Sequence, residues 1–230
     1  MLITFTSCSA FAQNQLLFIV SYPGSAPYIY QQEGDDTYLG IIPDLLSPLI
    51  KTKNLNIRFV SNSRKRSEEY LYQGKADLML ISQTWLSNPE KLIATTPLHQ
   101  YRSYLYQSKA FANDFSLDKL DETVKVCTRK GFVYPNLEPY FINNQLTRVD
   151  SSSQTTTLSM LFKKRCDLVI LSEYHALTIM KLNLFKNKQL FRSNKPVSVV
   201  PLNIILRPEL IHIKEILNQH IRELTRSGEL

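Results

Sequence analysis

Ile57-Arg58-Phe59-Val60-Ser61-Asn62-Ser63, running on to Gly74-Lys75-Ala76-Asp77-Leu78-Met79-Leu80-Ile81, has a counterpart ninety positions later. That counterpart is Thr147-Arg148-Val149-Asp150-Ser151-Ser152-Ser153, running on to Lys164-Arg165-Cys166-Asp167-Leu168-Val169-Ile170-Leu171. Superposed without a gap, Arg58 meets Arg148, Ser61 meets Ser151, Leu71 meets Leu161 and Asp77 meets Asp167. Each copy predicts a strand, a Ser/Asn helix start, one amphipathic helix, a basic turn and an Asp-led apolar strand. That is a βαβ unit, in which parallel strands need a helical crossover. Two such units predict two similar α/β lobes joined by two hinge segments. The cleft between such lobes is where a small ligand binds.

At 230 residues the chain is long enough for two modest lobes. Its 43% hydrophobic and 20% charged content is that of a water-soluble globular protein. The net charge of +7 is spread along the chain, and the tightest basic clusters are Arg64-Lys65-Arg66 and Lys163-Lys164-Arg165. Both flank predicted crossover helices and read as solvated faces, so no nucleic-acid partner is expected. Residues 1–12 read as the remnant of a secretory signal peptide: Ala10-Phe11-Ala12 before Gln13 fits the A-x-A cleavage rule. The basic n-region is missing, so the native start is expected upstream of Met1. Phe5-Thr6-Ser7-Cys8 weakly resembles a lipoprotein box, ranked below simple export. No later stretch reaches the roughly 18–20 apolar residues of a membrane span. The expectation is a monomeric mature chain from Gln13 in the periplasm.

Export permits a disulfide between Cys127 and Cys166. However, Cys127 falls near the end of one predicted strand and Cys166 before the start of another. In parallel neighbours those positions lie at opposite ends of the sheet, beyond the roughly 7 Å Cα limit. Two buried free thiols are therefore expected.

Along the chain, Leu16 to Ser21 reads as a buried strand, followed by the aromatic, Pro/Gly-marked loop Tyr22 to Tyr28. Pro43-Asp44 opens a helix whose core stripe is Leu45, Leu46, Leu49 and Ile50. In the second lobe Val124 to Cys127 is a strand, and Thr128-Arg129-Lys130-Gly131-Phe132 is the loop at its carboxyl end. Glu209 to Arg226 is the clearest helix, with Leu210, Ile213, Leu217, Ile221 and Leu224 in helical register and Gly228 as its stop. The expected organisation is lobe 1 over 13–104 plus 203–230, lobe 2 over 109–198, and hinges at 104–109 and 198–203.

Catalytic signatures are missing. None of the six glycines forms a P-loop or G-x-G-x-x-G arrangement, and there is no G-x-S-x-G elbow. The four histidines have no metal-ligand spacing, so no metal, no cofactor and no catalytic set is expected. What remains is a binding constellation at predicted strand ends: Tyr22, Ser25, Tyr28, Ser82, Thr84, Trp85, Gly131, Phe132, Ser151, Ser152, Ser172 and Glu173. Aromatic walls, hydroxyls and helix N-termini suit a small polar or anionic solute.

These stretches resemble the family 3 bacterial extracellular solute-binding proteins, the periplasmic receptors of polar amino acid ABC transporters. The likeness runs through Ser25-Ala26-Pro27-Tyr28, Gly40-Ile41-Ile42-Pro43-Asp44-Leu45-Leu46 and Gly74-Lys75-Ala76-Asp77-Leu78. It continues in Leu92-Ile93-Ala94-Thr95-Thr96-Pro97-Leu98 and Arg165-Cys166-Asp167-Leu168-Val169-Ile170, with Lys164 where Gly is usual. The resemblance implies a type II periplasmic-binding-protein fold and an ABC permease or membrane sensor as partner. The chain departs from the family at its ligand clamp. The arginine that forks onto the ligand's α-carboxylate falls on Pro89, and Lys91 cannot copy the fork. The acid that takes the α-ammonium falls on Ser172, with Glu173 beside it, and a stacking aromatic is replaced by Ser25. Arg66, eight residues before Gly74, offers another cation. The resemblance thus implies capture of a small polar or anionic solute other than a standard amino acid. A ligand-sensing module without a transport role is the second reading. The third is a periplasmic dehydratase-like enzyme with Glu173 as general acid.

Overall fold

The computed structural model describes residues 15–32, 34–53, 55–120 and 123–230. The expected export segment over 1–12, with Cys8, lies outside the described residues. The first half runs β1 (Leu16–Ser21), α1 (Ile41–Thr52), β2 (Ile57–Asn62), α2 (Arg64–Tyr72), β3 (Leu78–Ile81) and β4 (His99–Gln107). The second runs β5 (Val124–Arg129), α3 (Glu138–Ile142), β6 (Leu146–Ser151), α4 (Gln154–Phe162), β7 (Leu168–Ser172) and α5 (Glu173–Met180). It closes with β8 (Ser198–Leu206) and α6 (Ile211–Ser227).

The strand order is β6-β5-β7-β4-β8-β3-β1-β2. It reads the same from either end. In each lobe the strand before the copied helix is outermost, the lobe's first strand is second, the Asp-led strand third and a long strand fourth. The first three are parallel, and the long strand runs against them. The two long strands meet antiparallel at the centre, from Ser103 opposite Ser198 to His99 opposite Leu202. Here the chain passes between lobes. Apolar clusters on both faces of each half-sheet, Phe18, Leu46 and Leu217 on one face of lobe 1 and Ile19, Leu71 and Ile205 on the other, make it a layered α/β fold.

The internal repeat is visible in the structure. α2 and α4 each have 9 residues and lie ninety positions apart. The two strands of each copy are parallel, as expected, but not adjacent: β1 or β5 is inserted between them. Phe18, Ile19 and Val20 are all buried, so β1 belongs in the middle rather than at an edge. Asp77 and Asp167 do the same job in each lobe. Each accepts a hydrogen bond from the central strand's backbone, Leu17 N at 2.7 Å and Lys125 N at 2.9 Å, and so sets the register. The turn before each Asp needs a left-handed residue, Gly74 at φ 69° and Lys164 at φ 55°. That is why Gly suits the position and why Lys164 is strained there. Helix α6 ends on Gly228 at φ 78°, as expected from the sequence.

The expectation of free thiols is corrected: Cys127 and Cys166 form a disulfide, with Cα atoms 5.7 Å apart. The error lay in the register. β7 starts halfway along β5, with Leu168 beside Val126 and Val169 beside Cys127. This stagger brings the turn before β7 under the middle of β5 instead of its far end. Both cysteines are buried in the cluster with Leu158, Leu161 and Val169.

Candidate functional site

The carboxyl ends of β1, β3, β5, β6 and β7 carry the loops that face the junction of the lobes. Two small cavities lie there. One, of about 60 Å³, is lined by Ser25, Tyr28, Arg64, Trp85, Tyr101 and Phe132 among others. The other, of about 30 Å³, is lined by Trp85, Tyr101, Phe132, Gln154 and Ser172 among others. Trp85, Tyr101 and Phe132 form the wall between them. Trp85 meets Tyr101 edge-on at 5.3 Å between ring centres. No Asp or Glu lines either cavity.

Two side chains of lobe 2 reach across to the first loop of lobe 1. Arg129 ends β5, is buried, and donates to the Tyr22 carbonyl at 3.1 Å and to Gln154 Oε1 at 3.3 Å. Its guanidinium lies over the Phe132 ring, 4.7 Å from the ring centre. Arg148 holds this loop in shape by donating to the carbonyls of Arg129 and Phe132. His175, in the first turn of α5, bonds through Nε2 to Ser25 Oγ. Its Nδ1 is approached by Ser172 Oγ at 2.9 Å, Tyr101 Oη at 3.0 Å and Gln154 Nε2 at 3.3 Å.

This network assigns the imidazole tautomer. Gln154 turns its oxygen to Arg129, so its amide nitrogen faces His175 and can only donate. Nδ1 is then the acceptor, and the hydrogen on Nε2 is donated to Ser25. A neutral ring fits the surroundings. Burial pulls the His175 pKa down to about 3, and the Arg129 charge adds to the effect. Burial likewise pushes the Tyr28 and Tyr101 hydroxyls well above their usual range.

The second cation, Arg64, lies on the inner face of α2. It donates to Glu68 at 2.7 Å and to the Trp85 carbonyl at 2.9 Å. Glu68 also accepts from Tyr72 Oη and Ser87 N. Burial alone would raise the Glu68 pKa, but the hydrogen bonds from Ser87 and Arg64 outweigh it and hold the carboxyl below its usual value. The group fixes the loop that carries Trp85.

Of the residues singled out in the sequence, Ser25, Tyr28, Trp85, Phe132 and Ser172 line the cavities. Ser172 also caps α5 by accepting from His175 N. Tyr22 contributes its carbonyl, while its side chain is 65% exposed. Ser82 is buried against Thr84, at 2.9 Å between the hydroxyls, and Thr84 itself is exposed. Gly131 forms an exposed turn at φ 78°, with room for a Cβ 3.8 Å from Arg64 Cβ. Ser151 bonds to Thr157, and Ser152 is exposed. Arg66 is exposed and lines neither cavity. Glu173 pairs with Arg102 and Arg192 outside both cavities. Reasoning from sequence missed Arg64, Tyr101, Arg129, Gln154 and His175. Arg64 was within reach: Arg64, Ser67, Glu68 and Leu71 are the buried stripe of α2, and Arg66 falls on the opposite face.

No protein-family model matches the chain, and no curated protein matches it by sequence. Solved structures do match in shape. The substrate-binding protein of an amino acid ABC transporter superposes with a TM-score of 0.75 at 14% identity, covering 94% of this chain and 95% of the other. A binding component of an ABC transporter from Wolinella succinogenes, complexed with lysine, gives 0.76 at 16% identity over 93% and 91%. A histidine kinase sensor domain with similarity to periplasmic binding proteins gives 0.76 at 14% identity over 94% and 92%. The chain has the two-lobed fold of the periplasmic binding proteins. At these identities the likeness is one of fold.

Proposed function

We propose that the chain is a divergent family 3 solute-binding protein that captures a small polar or anionic solute by closing its lobes. In this reading it works outside the cytoplasm as a monomer and hands the solute to an ABC permease. The observation that carries it is the double crossing from lobe 2 to the first loop of lobe 1, Arg129 to Tyr22 and His175 to Ser25. Both crossings lie beside cavities walled by aromatic rings. These bonds hold the lobes together in the absence of a solute, and a solute that touches both lobes and replaces the bonds would supply the differential affinity that drives closure. The bending is assigned to the central ladder, where His99–Ser103 runs against Ser198–Leu202. That moves the first hinge back from 104–109 to 99–103, with lobe 1 as 13–98 plus 203–230 and lobe 2 as 104–197.

Sensing is the second reading, favoured by the shape match to a kinase sensor domain. Catalysis is not favoured, because the acid it would need, Glu173, is held in ion pairs outside the cavities. A melting-temperature screen coupled to small-angle scattering tests the binding reading. A solute present at 100 times its Kd adds about 2.7 kcal/mol to stability, a rise of roughly 5–10 °C for a chain this size. It should also contract the molecule. If sugars, amines, amino acids and organic acids all leave both quantities unchanged, the reading is wrong. Solute-driven contraction with no effect on a cognate permease would favour sensing.

A further inference from the structure

Arg129 is a buried cation without an anionic neighbour. It is 5% exposed and joins no ion pair among the described residues. Its polar partners, Gln154 Oε1 at 3.3 Å and the Tyr22 carbonyl at 3.1 Å, are neutral, and its buried Nε has none. The first residue of α4 is Gln154, so the positive end of that helix lies at the same place. A buried ion left uncompensated costs several kcal/mol, and a charge-assisted bond to a carboxylate would be shorter, about 2.7–2.9 Å. Arg64 is different, because Glu68 already neutralises it. Arg129 lies directly behind the cavity walls, over the Phe132 ring and bonded to Gln154, both of which line them, and those walls hold Arg64 but no carboxylate that could receive an ammonium group.

We infer that Arg129 receives the anionic group of the solute, and that the solute is a carboxylate bearing no ammonium group. This rests on the solute-binding reading above and deepens it. The incoming carboxylate takes the guanidinium from the Tyr22 carbonyl and Gln154, replacing neutral acceptors with a charged one. An α-ammonium would enter a space with two arginines nearby and no acid to pair with. That penalty selects against amino acids by about 10- to 100-fold.

The test uses matched pairs that differ only by the ammonium group: propionate and L-alanine, succinate and L-aspartate, 3-phenylpropionate and L-phenylalanine. Calorimetric titration of the full chain should show that the acid binds at least tenfold more tightly than its amino acid in any pair that binds. Arg129→Met should weaken that acid by about 10- to 100-fold while the far-ultraviolet spectrum stays native. Arg129→Lys, which keeps the charge but not the fork, should fall between. Three results overturn the inference. One is an amino acid binding as tightly as its partner acid. Another is a folded Arg129→Met with unchanged affinity. The third is no binding by any of the six probes. In that last case 3-phenylpropanamide, sucrose and putrescine separate the two failures. Contraction with one of them would leave the solute-binding reading standing without its carboxylate, and indifference to all would remove both.

Discussion

Mild acid should weaken the closed, folded molecule through His175, and the size of the effect can be worked out. The imidazole is neutral, its Nδ1 is used as an acceptor, and its pKa is lowered from 6.5 to about 3 by burial and by Arg129. Tyr28 and Tyr101 also pack against the ring, and both hydroxyls are driven toward the neutral form. The unfolded chain therefore takes up a proton below about pH 6.5 that the folded chain refuses. Stability is complete above that pH and falls by about 1.4 kcal/mol per unit as pH drops toward 3. At pH 5 the loss is about 2 kcal/mol. Burial lowers His99 as well, with the same sign, so the effect is read as a difference between the wild type and His175→Gln. Urea denaturation at pH 7 and pH 5 should give the wild type an extra loss of about 2 kcal/mol relative to the variant. Carbon-13 titration of the ring should show no midpoint above pH 5. A midpoint near 6.5, or equal acid sensitivity in both proteins, would refute the buried neutral ring and the Gln154-directed tautomer.

Reduction of the Cys127–Cys166 bond, which closes a loop with a sequence separation of 39, should cost about 4 kcal/mol by the loop-entropy relation. Urea melts with and without dithiothreitol measure this, and alkylation of Cys127 and Cys166 in the denatured, unreduced chain would contradict the bond. Lys164→Gly should relieve the left-handed strain at φ 55° and stabilise by about 1 kcal/mol. A lower melting midpoint for that variant would mean that the Lys164 side chain has a compensating contact.

Repetition was the most legible feature of the chain. The copied segments predicted twin lobes, their helices and their Asp-led strands, because hydrophobic periodicity and helix starts are local properties. Strand adjacency and stagger are not local. The inserted β1 and β5, and the offset that brings Cys166 under Cys127, depend on which strand buries both faces best. The site divided in the same way. Aromatic and hydroxyl residues at strand ends were legible because loop position follows from element order. Arg129, Gln154 and His175 come from three separate segments that only the folded lobe 2 brings together. Spacing from Gly74 points to Arg66, whereas the buried stripe of α2 decides which side chain points inward, and that is Arg64.

The palindromic strand order also governs how the molecule can be made. The half-sheet holding residue 16 receives its long strand, β8, only from residues 198–206, and its covering helix α6 follows later still, at Ile211–Ser227. While synthesis proceeds, β3 therefore offers a naked hydrogen-bonding edge, and the pocket awaiting Ile213, Leu217 and Ile221 stays greasy and open. The later-made lobe has no such wait, since β4 through α5 arrive in one uninterrupted run. A nascent chain halted before residue 198 would thus carry one finished lobe tethered to a sticky fragment, which is the form a chaperone would have to shield.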